Sequence, residues 1–222
     1  MDWDAFLLSI QLGIGTVLCL APLALWAGRA LAYRDFRGKG FAEAAIALPL
    51  LLPPTVVGFY LLVAFGRHSP LGQAVEALTG QLLAFSFEGL LLASILVNVP
   101  FAVQPVQRGF EAIEPALREA AAVSGLTPWQ VFLRIELPLA WPGIVTGLVL
   151  TFAHTLGEFG VVLMVGGSIP GETRTIAIAI YDRVQAFDDR SANIMAATLL
   201  VLSVAALGIT NTLSRRIGRR RG

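Results

Sequence analysis

Long apolar runs alternate with short polar segments along this chain of 222 residues. A helix needs about 20 mostly apolar residues to cross the hydrocarbon core of a bilayer. Five stretches reach that length, and each predicts a membrane-spanning helix: residues 5–31, 41–65, 89–107, 139–165 and 192–213. The pattern therefore predicts an all-α integral membrane protein with five transmembrane helices.

One polar interval differs from the others. Residues 119–138, EAAAVSGLTPWQVFLRIELP, are amphipathic and contain a glycine near the middle. Pro115 at a first helical position and Gly125 just after a last one predict a short helix. Thr127 and Gln130 have the spacing of a capping box, which predicts the start of a second helix. We expect two short helices that meet at Gly125.

The second short helix is expected to place Trp129, Phe132, Leu133 and Glu136 on one face. Together with the small alanines of the first helix, this face suits the docking of another protein. Two alternatives are a helix pair that rests on lipid headgroups and a DNA-binding helix-turn-helix. The interval mixes arginines and glutamates and has no basic face for phosphates, which argues against a nucleic-acid partner.

The composition supports a location in a membrane. Hydrophobic residues make up 56% of the chain and charged residues 14%, with a mean hydropathy of +0.74. Soluble domains carry about a quarter charged residues. The only cysteine, Cys19, lies inside an apolar run, so the chain cannot form an internal disulfide.

The basic residues predict the orientation. If five spans alternate, 12 of the 16 basic residues lie on one side of the membrane: Arg29, Arg34, Arg37, Lys39, Arg108, Arg118, Arg134, Arg215, Arg216, Arg219, Arg220 and Arg221. Loops rich in Lys and Arg stay in the cytoplasm. This bias predicts an external N-terminus, a cytoplasmic C-terminus and a cytoplasmic helix pair.

Polar residues inside the predicted spans are candidates for function, since they are costly in lipid. His154 and Glu158 lie one helical turn apart, and they could form a proton relay, a metal pair or a hydrogen-bonded pair that orients the helix. A transport path across the membrane needs small polar groups that bind a solute weakly. We expect such a path to include the helix-breaking prolines and the small or polar residues of the same spans: Pro53, Pro54, Thr55, Gly58, Thr151, Thr155 and Glu158.

The polar interval resembles the EAA motif of importer permeases of the ABC transporter superfamily. The matching residues are Glu119-Ala120-Ala121, Gly125, Ile135 and Leu137-Pro138 at the spacing of the motif. Three further stretches are similar to the molybdate permease group: residues 48–62, 157–167 and 169–181. Sulfate and tungstate permeases are alternatives within the same resemblance.

The resemblance implies a single type I permease domain over residues 1–222, with the coupling loop at 110–140. It implies that this loop docks on an ATP-hydrolysing subunit through Glu119, Ala120, Ala121, Gly125, Leu126, Trp129, Ile135, Leu137 and Pro138. The implied partners are two ATP-binding cassette subunits, a second copy of this chain, an extracytoplasmic oxyanion-binding protein and the lipid bilayer of a bacterial or archaeal cytoplasmic membrane.

The sequence contains no G-x-x-x-x-G-K-[ST] phosphate-binding loop. We therefore expect no enzyme activity and no cofactor in this chain, with ATP and magnesium bound by the partner. The resemblance implies alternating access as the mechanism. A hypothesis of another class is a proton-coupled transporter that works alone, with His154 and Glu158 as the relay.

Overall fold

Every regular element in the described part of the chain is helical, which confirms the predicted all-α class. The computed structural model describes the backbone of residues 1–219, and their side chains apart from those of residues 122, 207 and 209–219. The elements are α1 (Trp3–Tyr33), α2 (Lys39–Leu51), α3 (Pro54–Phe65), α4 (Pro70–Thr79), α5 (Phe87–Glu111), α6 (Pro115–Val123), α7 (Pro128–Val131), a π-helical segment (Phe132–Glu136), α8 (Leu137–Gly157), α9 (Gly160–Gly166), α10 (Ile176–Gln185) and α11 (Asp189–Arg219).

Three helices in the described residues are long and apolar enough to cross a membrane. They are α1, α5 and the continuous helix Pro128–Gly157, which joins α7, the π-helical segment and α8. The pair α2 and α3 adds a fourth crossing if it is counted as one span. The fifth predicted span, residues 192–213, lies in α11 and extends into residues whose side chains are outside the description. Five spans therefore remain a prediction, and Arg220 and Arg221 lie outside the described residues.

Two predicted spans are not continuous helices. In the span predicted at 41–65, α2 and α3 bend by 107° where Pro53 separates them. Proline removes a backbone donor and disfavours helical geometry in the residue before it, which explains this break. The span predicted at 139–165 ends as a helix at Gly157 and resumes at Gly160. No proline marks this second break.

The core of the fold lies where α1, α5 and α8 pack against one another. Apolar side chains fill the space between them: Leu20, Ala24, Ala102, Val103, Val106, Phe110, Ala140 and Ile144. Glycines allow the backbones to approach closely, as is common between membrane helices. A Cβ atom on Gly143 would lie 2.5 Å from the carbonyl oxygen of Pro105 and 2.8 Å from the Cα atom of Gly109. The α5–α8 contact therefore has no room for a side chain at this point.

We expect Gly143→Ala to lower the midpoint of thermal unfolding in detergent, because the added methyl group pushes α5 and α8 apart. Overpacking of this kind costs about 1–3 kcal/mol. Gly40→Ala is the matched control, since a Cβ atom there meets nothing within 4 Å. An unchanged midpoint in Gly143→Ala would contradict the close contact.

Contacts between distant segments define the two ends of the bundle. At one end, the Gln107 side chain of α5 donates a 3.0 Å hydrogen bond to Glu43 of α2. At the other end, the Arg174 guanidinium lies 3.4 Å from the Asp2 carboxylate. The basic turn that precedes α2 and the helix pair that follows α5 therefore lie at the same end.

Candidate functional site

The helix pair turns at Gly125. This residue has a φ of +78°, a conformation that glycine adopts without strain. Two backbone hydrogen bonds close the end of α6, from Ser124 to Ala120 at 3.0 Å and from Leu126 to Ala121 at 3.2 Å. The carbonyl groups of Ala120 and Ala121 are thereby bonded, and the helix ends at the glycine.

The predicted capping box at the start of α7 is confirmed. The Thr127 hydroxyl accepts from the Gln130 amide at 3.3 Å, and the Gln130 side chain accepts from the Thr127 amide at 2.9 Å. From Pro128 the helix continues without a break through the π-helical segment to Gly157. The second helix of the pair is therefore the first part of a membrane-long helix, whereas the sequence predicted a span that begins near residue 139.

Several apolar side chains are exposed on the outer surface of the pair. Val123 is 90% exposed and Trp129 is 65% exposed, and Leu117 and Leu133 are exposed to a little less than half. An exposed apolar patch of this kind marks a contact with another protein or a membrane. Glu119 stands next to the patch and is exposed.

The other predicted coupling residues differ in their exposure. Ala120, Gly125 and Pro138 are exposed, and Leu126, Ile135 and Leu137 are half-buried. Ala121 is buried, with an exposed fraction of 5%, so its methyl group packs inside the loop. Ala121 is therefore less accessible than Ala120 in this chain, and its coupling role stays a prediction.

A buried ion pair holds the helix pair against α1. Glu136 is fully buried, and its Oε2 atom lies 2.6 Å from Arg29 Nε while its Oε1 atom lies 2.9 Å from Arg118 Nε. The Arg118 guanidinium stacks on the Tyr33 ring, with Cζ 3.6 Å from the ring centroid. One carboxylate thus joins α1, α6 and the start of the Pro128–Gly157 helix.

The position of Glu136 corrects the sequence-based prediction, which put it on one face with Trp129 and Leu133. The π-helical segment explains the difference, because its wider turn changes the angular position of the residues that follow. Glu136 therefore points inward while Trp129 remains exposed. In the sequence, Arg29 contributes to the basic side of the membrane, and its one signal for a role in this site is a charge in the last turns of an apolar helix.

The break between α2 and α3 lies against the break between α8 and α9, and this contact is a second feature of the site. A Cβ atom on Gly160 would lie 2.8 Å from Pro54 Cβ, and one on Gly58 would lie 3.0 Å from Val161 Cα. In membrane proteins, irregular backbone is tolerated where it is buried in protein or lines a polar cavity. A cavity of about 170 Å³ adjoins both breaks, and His154 and Glu158 contribute to its wall.

His154 and Glu158 lie close together, as their spacing of one helical turn predicts. Their Nε2 and Oε2 atoms are 3.6 Å apart, and Glu158 Oε1 also accepts from the Val161 amide at 3.0 Å. The other ring nitrogen of His154, Nδ1, lies 3.1 Å from Asn98 Oδ1, and the ring stacks on Phe101. Glu158 therefore caps α9, and His154 connects that cap to α5.

The remaining residues predicted to line a path fall into two groups. Pro53, Pro54 and Thr55 are exposed next to the first break, while Gly58 is buried against α9. Thr151 and Thr155 are buried between α1, α5 and α8, and Thr155 Oγ1 donates to the Thr151 carbonyl at 2.9 Å. Neither threonine is among the residues that line the cavity at the two breaks, and their place in a path enclosed by two copies stays a prediction.

The sequence matches the family model for the "Binding-protein-dependent transport system inner membrane component" over residues 21–219. It is 45% identical over 210 residues to the molybdenum transport system permease protein ModB of Azotobacter vinelandii, with 93% of this chain and 91% of that protein covered. It is 34% identical over 185 residues to the sulfate transport system permease protein CysT of Escherichia coli (strain K12), with 83% of this chain and 66% of that protein covered.

The fold is similar to that of a solved transporter. A chain of a bacterial ABC transporter involved in the import of the acidic polysaccharide alginate superposes with a TM-score of 0.73. The match covers 96% of this chain and 79% of that chain at 21% sequence identity, so the likeness concerns the fold.

Proposed function

We infer the function from the premise that this chain belongs to the family of binding-protein-dependent transport system inner membrane components. It is a permease subunit of an ABC importer and not itself an enzyme. We propose that it forms the channel through which such an importer carries molybdate across the cytoplasmic membrane of a bacterium or archaeon. The observation that carries the proposal is the exposed helix pair joined without a break to a membrane-long helix.

The helix pair is the proposed docking site for an ATP-binding cassette subunit. Its exposed apolar side chains flank the turn at Gly125, and a Cβ atom on that glycine would meet nothing within 4 Å. The proposal gives the contact role to Glu119, Ala120, Gly125 and Trp129, and a supporting role inside the loop to Ala121. Leu126, Ile135, Leu137 and Pro138 then connect the docked surface to α8.

The continuous helix Pro128–Gly157 would transmit movement from the docked subunit into the membrane. The turn at Gly125 and the capping box fix one end of this helix, and the cavity at Glu158 lies just beyond its other end. The Arg29–Glu136–Arg118 ion pairs tie α1 to the same movement. A push on the helix pair would then shift the helix breaks, where the backbone is least regular.

Two copies of the chain would enclose one path, since the five predicted spans of one chain are too few to surround it. In this arrangement the N-terminus is external, the helix pair is cytoplasmic, and residues 1–222 form a single permease domain. The breaks at Pro53 and Glu158 would lie beside the path, with Thr55 as a hydroxyl donor for the oxyanion. Glu158 repels a dianion, so its proposed role is to cap α9 and hold the break open.

The choice of molybdate follows from the relatives. The identity to a molybdenum permease is higher than that to a sulfate permease and covers more of both proteins. Sulfate and tungstate are the alternatives. In the proposed complex, two ATPase subunits bind ATP and magnesium, and a soluble binding protein delivers the oxyanion from outside.

We expect proteoliposomes that contain this chain, its ATPase and its binding protein to take up molybdate only when ATP is hydrolysed. Molybdate, tungstate and sulfate should be compared as competitors at equal concentration, and molybdate or tungstate should compete better than sulfate. Liposomes without the ATPase are the control. Uptake driven by a pH gradient in these control liposomes would overturn the proposal and favour a relay through His154 and Glu158.

A further inference from the structure

A larger cavity, of about 740 Å³, lies between the last turns of α1 and the helix pair. Its wall is apolar toward the middle of α1 and basic toward the end of that helix. The apolar part includes Leu25, Trp26 and Phe132, and the basic part includes Arg29, Arg34 and Arg118. Arg29, Arg118 and Trp129 also belong to the helix-pair site, but the transport function proposed above assigns no ligand to the cavity that they line.

The basic part of the cavity has an uncompensated positive charge. Three arginines face one carboxylate, Glu136, which leaves a net charge of +2. Only the Nε atoms of Arg29 and Arg118 bind Glu136. In the described part of the chain, the terminal nitrogens of these two guanidinium groups have no hydrogen bond, and Arg34 is exposed and forms no ion pair. These groups can bind the oxygens of an anion.

The residues around the cavity are typical of the headgroup level of a membrane. It adjoins the end of α1, a helix long and apolar enough to cross a membrane. Trp26 and Trp129 are both largely exposed at its edge, with exposed fractions of 70% and 65%. Tryptophan is enriched at the level of the headgroups, where its ring contacts both apolar and polar groups.

We propose that this cavity binds an anionic phospholipid from the leaflet that adjoins the helix pair. The lipid phosphate contacts Arg34 and the terminal nitrogens of Arg29 and Arg118, and an acyl chain lies over Leu25 and Trp26. Basic pockets at membrane surfaces recognise anionic headgroups in this way. The bound lipid then packs against both α1 and the helix pair. This inference requires that α1 crosses the membrane, and it does not depend on the transported substrate.

Native mass spectrometry of the full chain, purified in detergent with equal amounts of phosphatidylglycerol and phosphatidylethanolamine, tests the site. We expect retained phosphatidylglycerol to exceed phosphatidylethanolamine, and Arg34→Gln to reduce that preference about fivefold. Arg37→Gln is the matched control, because Arg37 is also exposed in the same connection but does not line the cavity. Equal retention of the two lipids, or an equal loss in both variants, would overturn the proposal.

A second measurement separates a lipid from a free anion. Inorganic phosphate added at the concentration of the lipid should leave phosphatidylglycerol bound, because the ion gains nothing from the apolar wall. Trp26→Ala should weaken retention, whereas Trp3→Ala, which removes a similarly exposed ring at the other end of α1, should not. Displacement by inorganic phosphate, or no effect of Trp26→Ala, would count against a phospholipid.

Discussion

The double variant Arg29→Gln/Arg118→Gln is expected to lose far more stability than either single variant. Each single change leaves Glu136 with one arginine, whereas the double change leaves a fully buried carboxylate without a cationic partner. Breaking a buried ion pair from one side costs about 3–5 kcal/mol. The arginine side chains are 35% exposed and Glu136 is fully buried, so the cost arises mainly at the carboxylate.

Adding Glu136→Gln to the double variant should restore much of the lost stability, because it removes the unpaired buried charge. The measurement is the midpoint of thermal unfolding of the purified variants in one detergent. Arg108→Gln is the control for the loss of an arginine, since its pair with Glu111 is exposed and such pairs contribute about 0–1 kcal/mol. If the triple variant were as unstable as the double variant, the arginines would act through packing on Tyr33 and not through charge.

The variant Gly125→Trp is expected to insert and fold but to lose at least about tenfold in molybdate uptake, a factor that corresponds to about 1.4 kcal/mol. A Cβ atom at Gly125 meets nothing within 4 Å, so the chain itself has room for the ring. The positive φ adds a strain of about 1–2 kcal/mol, as for any residue with a side chain. The indole would project from the turn into the proposed ATPase surface. Uptake and ATP hydrolysis, measured in the same proteoliposomes, report the loss of coupling.

Two control variants separate the docking role from backbone strain. Gly125→Asn introduces a residue type that tolerates the left-handed conformation, and this variant should transport molybdate nearly normally. Gly80→Trp places the same ring at a glycine with a φ of +73° and open space around it, in a connection away from the helix pair. Normal uptake by Gly125→Trp, or an equal loss in Gly80→Trp, would contradict docking at Gly125.

In the helix pair, the features that the sequence predicts correctly are those that depend on residues close together in the chain. Thr127 and Gln130 are three residues apart, and their mutual hydrogen bonds need no distant partner, so the sequence predicts them correctly. The turn at Gly125 follows in the same way, because only its own backbone conformation matters. The prolines at the break also indicate the bend between α2 and α3, since proline acts on its immediate neighbours in the chain. The break after Gly157 has no such marker and was missed.

The sequence by itself determined the helical class, the apolar helices and the glycine turn, because hydropathy and capping act between residues close in the chain. Only the tertiary structure decided that Glu136 pairs with Arg29, a residue 107 positions away, since that contact depends on the π-helical turn and on the packing of α1. The same holds for the burial of Thr151 and Thr155, and Thr155 lies 3.4 Å from the Ser94 hydroxyl of α5. Polarity is a property of the residue, whereas the direction of a side chain depends on which helices surround it.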